Sequence, residues 1–525
     1  MAEADYDAIV IGAGHNGLIS AGYLAKAGKR VLVLERREIV GGACVTEEVW
    51  EGYHVSVGAY LCSLLLPEIV VDLELKRYGF EVYRRETSGF TPFLDGKTMR
   101  FYADEERMRA ELIAFCTDTP QDVDAYFAFE SEIERVAAVL DAVMVQEPPT
   151  EAQLRALFDE AGIANLFDEF MLGSVRDLLD RRFQNERLKA ILSTDGLIGT
   201  YGGVSSPGTA YVLVHHYMGR VLGSRGSWGY VRGGMGNITQ GLAQFALEHG
   251  AEIRLSAPVK RLLLENGRCV GVELESGERV FATAVLSNAD PYRTFITLLG
   301  EDSPFAGTPG LWTDLVEKGG ASAKINLAVS ELPQFSCLPL REDKSVPGAE
   351  HLGTVHLSPD MDYLERAWRD AQRGYPSAEP MIEVYLQTAT DSSLTPPGKH
   401  ILSLFVQYFP YNLAEGLDLD EEREAFADRI VEIVGRYAPN VPASILHRQI
   451  LTPRDLEAHF GLTGGHIFHG DLLPPHLWRE RPGAGFVGAR TPIAGLYLCG
   501  SGAHPGGCVF GAPGYNAARA VLEDM

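Results

Sequence analysis

The 525-residue chain has few cysteines and places them far apart. They form no CxxC pair and their number is odd; the seven are Cys44, Cys62, Cys116, Cys269, Cys337, Cys499 and Cys508. Disulfide reductases need a pair of neighbouring cysteines for their redox step, and cysteine-rich zinc sites need closely spaced ones. The sequence therefore excludes both classes of site and is typical of a protein from a reducing compartment.

Basic residues are also scarce. The chain has 46 Lys and Arg against 71 Asp and Glu, which gives a formal net charge of -25. A chain this acidic is repelled by nucleic acid and by anionic lipid, so we expect no nucleic-acid partner. Its histidines and acids show no metal-ligand spacing of the HExxH kind, so we expect no metal either.

Long apolar runs are absent. No stretch reaches the roughly 18 uninterrupted apolar residues that a membrane-spanning helix needs. The nearest approach, residues 60–75 (YLCSLLLPEIVVDLEL), contains Pro67, Glu68 and Asp72. It predicts a core or pocket helix and leaves peripheral membrane contact open. The first residues, MAEADYDAIV, are acidic and lead into a strand pattern, so we expect a cytoplasmic protein without a signal peptide.

The most informative motif that is present, YDAIVIGAGHNG, lies near the start of the chain. An apolar run at residues 8–11 predicts a buried parallel strand, and Gly12, Gly14 and Gly17 after it form a GxGxxG fingerprint. A helical pattern follows, and a second apolar run ends at Glu35. Strand, glycine turn, helix, strand and acid in this order predict a Rossmann-type dinucleotide site.

Each part of this motif has a physical role. The glycines allow a tight turn and a close approach of the backbone to a pyrophosphate, which the positive end of the helix dipole attracts. A carboxylate about 20 residues further on accepts hydrogen bonds from ribose hydroxyls, and Glu35 lies at that spacing. Because a carboxylate repels a 2′-phosphate, NADP is disfavoured. The motif by itself leaves NAD and FAD open.

The rest of the chain predicts a second, different sheet. Residues 259–290 contain ENG and ESG, which indicate a β-meander. The runs AKINLAVS, EPMIEVYLQT and HILSLFVQYF, between residues 321 and 409, predict an antiparallel sheet. Residues 101–183 have the spacing of amphipathic surface helices. The end of the chain, GLYLCGSGAHPGGCVFGAPGYNAARAVLEDM, predicts a strand, a glycine-rich loop and a helix whose N-terminus faces a ligand.

Several motifs together resemble one superfamily of flavoproteins. GAGHNG, the GG at residues 41–42, GGMGNITQGLA, VLSNAD and LCGSGAHPGGCVFG are similar to motifs of the FAD-dependent phytoene desaturase and carotenoid isomerase superfamily, and the resemblance spans the whole chain. Within it, GGACVTEEV, YLCSLLLPEIVVDLELKRYG and LYLCGSGAHPGG are most similar to the pyridine nucleotide-disulfide oxidoreductase domain-containing protein 2 group. The wider superfamily includes monoamine oxidases. The resemblance therefore implies FAD as cofactor.

The resemblance also implies an architecture. The fold class is α/β, with a Rossmann-type FAD-binding domain of the glutathione reductase and amine oxidase kind and an inserted α+β substrate domain that carries a mostly antiparallel sheet. We expect the FAD domain to consist of residues 1–65, 225–300 and 450–525. The substrate domain would then be residues 66–224, which include a helical insertion, and residues 301–449. We expect a substrate pocket lined by Tyr60, Tyr201, Tyr408 and Phe409.

Roles for individual residues follow from the same resemblance. It implies that the fingerprint glycines hold the pyrophosphate, that Glu35 binds the adenosine ribose and that Val259 meets the adenine through its backbone. Gly41 and Gly42 would lie close to the ribityl chain and the phosphates, and Gly500, Ser501 and the helix after Gly511 would meet the ribityl chain and the pyrimidine edge of the flavin. Arg36 is a further candidate for cofactor binding. Many relatives have an arginine after the glycine doublet and an acid after the terminal glycine, whereas this chain has Ala43, Cys44 and Ser501 there.

Two residues are candidates for catalysis. Lys324 lies in the apolar strand AKINLAVS, where flavin amine oxidases place a lysine that holds a water near flavin N5. A lysine in such a strand needs a reason, although a surface lysine at a sheet edge is an equal alternative. His504 in GAHPGG resembles a carotenoid-family motif and is predicted to line the flavin, with a structural hydrogen bond as the alternative.

These observations favour an FAD-dependent oxidoreductase that removes a hydride from a C–C or C–N bond of a small apolar substrate, isoprenoid- or lipid-like. A flavin amine oxidase is one alternative, and an FAD-containing binding or assembly protein without catalysis is another. The sequence leaves the electron acceptor open between oxygen, a quinone and a nicotinamide. It also leaves open whether the protein forms an oligomer.

Overall fold

The computed structural model describes residues 4–344 and 346–525. Within them, its strands are β1 (Tyr6–Ile11), β2 (Val31–Leu34), β3 (Thr46–Trp50), β4 (Tyr53–Ser56), β5 (Val82–Arg84), β6 (Thr87–Pro92), β7 (Thr98–Tyr102), β8 (Gly229–Val231), β9 (Glu252–Arg254), β10 (Val259–Glu265), β11 (Arg268–Leu274), β12 (Arg279–Ser287), β13 (Ser322–Val329), β14 (Thr354–Leu357), β15 (Met381–Tyr385), β16 (His400–Gln407), β17 (Ile445–Leu451) and β18 (Leu496–Leu498).

The α-helices in the same part of the chain are joined by loops and by short 3₁₀ and π turns. They are α1 (His15–Lys26), α2 (Pro67–Asp72), α3 (Glu105–Phe115), α4 (Gln121–Met144), α5 (Glu151–Glu160), α6 (Val175–Asp180), α7 (Glu186–Ser193), α8 (Thr209–Tyr217), α9 (Gly236–Glu248), α10 (Leu311–Glu317), α11 (Met361–Gln372), α12 (Leu419–Tyr437), α13 (Val441–Ser444), α14 (Pro453–Phe460) and α15 (Ala512–Asp524).

The first large sheet is parallel in its centre. Its parallel strands lie in the order β9, β2, β1, β12 and β18. The sequence of β2, VLVL, is buried at every position because both faces of the sheet are covered. The β-meander β10, β11 and β12 joins this sheet through β12, whose first residues pair antiparallel with β11 and whose last residues pair parallel with β1. Three separate parts of the chain therefore build this sheet.

The second large sheet is mostly antiparallel. Its order is β17, β13, β16, β15, β14, β6 and β7, and β14 with β6 is its parallel pair. Helix α12 covers one face. The residues that it buries, Phe426, Ala427, Ile430, Ile433, Val434 and Tyr437, recur three and four positions apart, as an amphipathic helix requires. The other face is free to line a cavity. The predicted α/β fold class, with parallel and antiparallel sheets, is confirmed; the domain boundaries stay a prediction.

Candidate functional site

The glycine fingerprint forms a cradle at the N-terminus of α1. Gly14 is the N-cap of α1 and offers no side chain to the first N–H groups of the helix, which are left open. A Cβ at Gly17 would lie 2.2 Å from the carbonyl oxygen of Gly12, and a Cβ at Gly14 would lie 2.8 Å from Nδ2 of Asn288. A side chain at Gly17 would therefore collide with backbone, whereas one at Gly14 would meet the end of the Asn288 side chain. The open N–H groups of α1 suit a pyrophosphate.

The second glycine pair presses against this cradle. Gly41 forms a parallel bridge with Gly14, and its amide donates to the carbonyl of Ala13 at 2.9 Å. Gly42 has a φ of +55°, and a Cβ there would lie 3.2 Å from Cα of Gly14. The two glycines bring a second stretch of backbone against the fingerprint.

Glu35 lies at the end of β2, buried on the wall of the same cavity. Its Oε2 accepts from the amide of Ala13 at 2.8 Å, and its Oε1 accepts from the amide of Arg37 at 2.9 Å. The remaining lone pairs of the carboxylate suit ribose hydroxyls. Arg36 and Val259 also line the cavity beside it. Nη2 of Arg36 donates to the carbonyl of His459 at 2.7 Å, so that its guanidinium is anchored to protein.

The terminal loop closes the site from the other side. A Cβ at Gly500 would lie 2.7 Å from the carbonyl oxygen of Asn288, and Gly511 caps α15 with a φ of +87°. Of the three residues predicted here, Ser501 lines the cavity, and its carbonyl accepts from Arg481. Gly500 and Gly511 instead allow close packing behind the cavity wall.

Several buried polar atoms of the cavity wall have no hydrogen-bond partner among the described residues. They are Oδ1 of Asn16, Nε2 of His15 and Nδ1 of His469. Burial lowers the pKa of both histidines to about 4, so both rings are neutral at pH 7. Unpaired buried polar atoms are costly unless a ligand completes them. Together with the glycine cradle and Glu35, these atoms fit a polar dinucleotide such as FAD.

The cavity does not end at the nucleotide cradle. Its volume is about 710 Å³, within the range of roughly 300–1,000 Å³ usual for small-molecule sites. It continues from the fingerprint along Tyr60 to the uncovered face of the second sheet. One cavity thus joins the nucleotide site to the second sheet.

A row of four side chains crosses that face. Lys324 on β13 pairs in register with Phe405 on β16, Phe405 pairs with Glu383 on β15, and Glu383 pairs with His356 on β14. Residues directly opposite one another on neighbouring strands point to the same face, and all four line the cavity. The register of the sheet therefore assembles residues that lie far apart in the sequence.

Lys324 is 3% exposed and has no carboxylate partner in the described part of the chain. Its Nζ donates to the hydroxyl of Ser403 and lies 4.0 Å from the centre of the Tyr60 ring. Burial holds the pKa of Lys324 well below its usual value, because nothing nearby offsets the loss of water around its charge. Burial therefore favours the uncharged form of this amine in the cavity wall.

Glu383 is also buried, and its carboxyl is held from two sides. Oε2 accepts from the hydroxyl of Tyr385, and Oε1 lies 3.5 Å from Nε2 of His356. Burial, together with the charge of Asp195, raises the pKa of Glu383 to about 8. Burial lowers the pKa of His356 to about 4. At pH 7 the pair is therefore a protonated acid next to a neutral imidazole.

Arg85, Asp195 and His216 complete the inner end of the cavity. Nε of Arg85 donates to the carbonyl of Trp228 at 2.9 Å, and its Nη1 donates to Oγ1 of Thr354 at 3.0 Å. Burial raises the pKa of Asp195, while the neighbouring His216 and Arg85 oppose that shift. None of these three residues had a sequence motif that singled it out as part of the site.

The predicted substrate pocket is correct in one residue of four. Tyr60 lines the cavity, with its ring centre 4.3 Å from that of Tyr385. Tyr408 instead packs on Trp368 and donates to the carbonyl of Gly202, and Phe409 packs on the face covered by α12. Tyr201 packs edge-on against Trp368 as well. The prediction was wrong for Tyr408 and Phe409 because the chain after β16 turns into the core, and it was wrong for Tyr201 because that ring packs on Trp368.

His504 does not line the cavity. Its Nε2 donates to the carbonyl of Val143, at the end of α4, at 2.9 Å, and burial lowers its pKa to about 4. This bond connects the terminal loop to α4. It is the kind of structural hydrogen bond that the sequence analysis gave as the alternative to a catalytic role. No contact of His504 reaches the cavity, and its catalytic role stays a prediction.

The fold and the site together define an FAD-dependent oxidoreductase. The model of the family described as "Flavin containing amine oxidoreductase" matches residues 17–295, more than half of the chain. The chain belongs to this family, and FAD is its cofactor.

Individual relatives narrow the comparison. "Pyridine nucleotide-disulfide oxidoreductase domain-containing protein 2" of Mus musculus is 39% identical, over 99% of this chain and 94% of its own length. The chloroplastic prolycopene isomerase of Daucus carota is 25% identical, over 99% of this chain and 80% of its own. A redesigned putrescine oxidase shares the fold with a TM-score of 0.58, at 17% identity and 99% coverage of both chains. The resemblance that the motifs carried is confirmed.

The structure also bears on membrane contact. No helix in residues 4–344 and 346–525 has the length and apolar character needed to cross a bilayer. Residues 60–75, the most apolar stretch noted in the sequence, contain the short helix α2, which begins at Pro67.

Proposed function

We propose that the protein oxidises an apolar substrate by removing a hydride from a C–C or C–N bond. Bound FAD supplies the two-electron acceptor for that hydride. The single observation that supports the proposal is the continuity of the cavity, which runs from the Glu35 and glycine cradle to Lys324 on the second sheet. A substrate in the inner part would lie between the nucleotide site and the second sheet.

The protein would contribute orientation, exclusion of water and one basic group. Apolar side chains line the inner cavity and would hold an apolar chain away from water; they are Phe129, Ile133, Ile191, Leu192, Ile198 and Leu213. Because burial lowers its pKa well below the usual value, the amine of Lys324 gives up its proton more readily than a surface lysine, and it can exchange a proton or hold a water molecule at its Nζ. We assign that role to Lys324.

Two versions of this function differ in the bond that is oxidised, which is a C–C bond of an isoprenoid- or lipid-like substrate or a C–N bond of an amine. The relatives include a prolycopene isomerase, whose name indicates an isoprenoid, and a putrescine oxidase fold neighbour, whose name indicates an amine. Six apolar side chains in the inner cavity favour the isoprenoid- or lipid-like substrate. The amine oxidase is the second candidate, because Asp195 in the same space could bind a cation.

Lys324→Met tests the proposal without knowledge of the substrate. FAD in the purified protein would be photoreduced without air and mixed with oxygen in a stopped-flow instrument. If Lys324 acts beside the flavin ring, the variant should keep stoichiometric FAD and reoxidise about 10²- to 10⁴-fold more slowly, since one positioned acid–base or electrostatic group contributes about that much. Lys260→Met is the matched control, because Lys260 lines the nucleotide end of the same cavity and is half exposed.

Each other outcome has a definite meaning. Equal reoxidation of wild type and Lys324→Met would make Lys324 structural and would favour a desaturase or isomerase over an oxidase. Very slow reoxidation of wild type would indicate an acceptor other than oxygen. A flavin that cannot be reduced would contradict catalysis and favour the binding or assembly alternative.

A further inference from the structure

The inner end of the cavity contains a buried guanidinium whose hydrogen bonds go to neutral groups. Arg85 is 8% exposed, and no ion pair joins it to a carboxylate in the described residues. Two of its three nitrogens are used by protein, Nε by the carbonyl of Trp228 and Nη1 by Thr354. Nη2 makes no hydrogen bond in that part of the chain, the guanidinium carbon lies 5.6 Å from the centre of the Tyr230 ring, and the side chain lines the cavity. A buried guanidinium left in this way is costly unless a ligand completes it.

A second donor lies on the same strand as Thr354. His356 lines the cavity, and its Nδ1 is buried without a partner among the residues that the structure describes. Its Nε2 faces Oε1 of Glu383 at 3.5 Å. His356 is neutral at pH 7 and carries one ring proton. In the tautomer with that proton on Nδ1, Nδ1–H is a donor without a hydrogen-bond partner among the described residues.

The acids nearby form no ion pair with Arg85 in the described part of the chain. Glu383 is bound to Tyr385 and is neutral at pH 7. Asp195 faces His216 as well as Arg85, and burial raises its pKa. Protein therefore holds Arg85 through a carbonyl and a hydroxyl, and a ligand carboxylate at its open Nη2 would give it an ion pair.

The surroundings define the rest of the ligand. Apolar side chains from α4, α7 and α8 line the same space; they include Phe129, Ile133, Ile191 and Leu213. We infer that the substrate is an apolar carboxylic acid, whose carboxylate is bound by Arg85 Nη2 and His356 Nδ1 and whose apolar chain extends along these side chains. Two donors match the two oxygens of a carboxylate. This inference rests on the proposed function and names the polar end of its substrate.

The test is a binding measurement on the FAD-loaded protein. Decanoate would be titrated at pH 7 and followed by the flavin difference spectrum and by calorimetry, beside decan-1-ol and decylamine, which have the same chain. We expect saturable binding of decanoate, at least about tenfold tighter than that of either analogue, because only the carboxylate completes Arg85.

Substitutions then identify the recognising groups. Arg85→Met should weaken decanoate about 10- to 100-fold, the usual effect of losing a hydrogen bond to a charged group, and leave decan-1-ol unchanged. His356→Leu should weaken the binding of decanoate by a smaller factor than Arg85→Met does. Arg232→Met is the control, because Arg232 is exposed, pairs with Glu81 and lies outside the cavity wall. Arg85→Lys, which keeps the charge, serves if the Met variant does not fold.

The outcomes separate this inference from the proposed function. Absence of decanoate binding, or equal decanoate affinity in Arg85→Met and wild type, would overturn the inference. Tighter binding of decylamine than of decanoate would also overturn it and would indicate that Asp195 binds the polar end of the ligand. Photoreduction and reoxidation of the same samples test the proposed function independently, since neither step needs the ligand.

Discussion

Gly17→Ala tests the geometry of the nucleotide cradle at a single atom. The added Cβ would lie 2.2 Å from the carbonyl oxygen of Gly12, with Nδ2 of Asn288 at 3.2 Å. Cβ atoms essentially never approach another heavy atom within 3.0 Å, so α1 and the turn must separate by about 1 Å. Overpacking of this kind costs about 1–3 kcal/mol of folding stability.

The effect on FAD should be larger than the effect on the fold. A shift of about 1 Å moves the open N–H groups of α1 out of hydrogen-bond range of a phosphate, and each charge-assisted bond is worth about 1.5–3 kcal/mol. We expect the dissociation constant for FAD to rise about 10- to 150-fold. The assay is FAD titration of the apoprotein by quenching of flavin fluorescence, with the melting temperature of the apoprotein measured in parallel.

Gly22→Ala is the matched control in the same helix. A Cβ there would meet Leu73 and Phe245 at 3.4 Å, an ordinary contact, and alanine in a helix interior gains about 0.5–1 kcal/mol over glycine. We expect this variant to bind FAD as wild type does. Unchanged FAD affinity in Gly17→Ala, or an equal loss in Gly22→Ala, would refute the cradle.

Four further predictions follow from the same structure. Glu35→Arg should lose FAD, because it removes the acceptor for ribose and adds a cation, whereas Glu38→Arg, at an exposed position two residues from Arg36, should retain it; absorbance at 450 nm reports both. Glu383 has its pKa raised to about 8 from 4.5, so its contribution to stability is complete below pH 4.5 and is lost as the pH rises to 8. The melting temperature of Glu383→Gln, relative to wild type, should therefore increase between pH 5 and pH 8, and a constant difference would contradict the raised pKa. Lys324 has the opposite sign, because its pKa is lowered in the folded state and the unfolded state binds the extra proton; the melting temperature of Lys324→Met relative to wild type should therefore fall as the pH rises towards 10.5, and a constant difference would contradict the lowered pKa. All seven cysteines are free, so dithiothreitol should change neither the melting temperature nor the FAD content.

The nucleotide site could be predicted from the sequence because most of it is local. Gly12 and Gly14 lie between β1 and α1, Gly17 lies in the first turn of α1, and Glu35 directly follows β2. Short-range geometry of this kind leaves a readable spacing. Asn288 belongs to the motif VLSNAD, but its position against the three glycines could not be predicted because it reaches them only through the pairing of β12 with β1.

The inner cavity could not be predicted because its residues are far apart in the sequence and meet only through strand pairing. Lys324 was found as an unusual charge in an apolar strand. Glu383 and His356 become its neighbours only through the register of the antiparallel sheet, and a shift of one residue would turn each side chain to the opposite face. The position of Tyr408 could not be predicted from residue type, because an aromatic residue next to a strand is equally common in a core and in a pocket.

The contact between α1 and α15 sets an order of events during synthesis of the protein. Ser20 in α1 donates to the carbonyl of Gly514 in α15 at 2.7 Å, across 494 positions of sequence. A Cβ at Gly514 would lie 2.3 Å from the carbonyl of Asn16, so the two helices meet at their N-terminal ends. The nascent chain therefore carries α1 without its partner helix until α15 has been synthesised, so folding of the cradle depends on a contact between segments 494 positions apart.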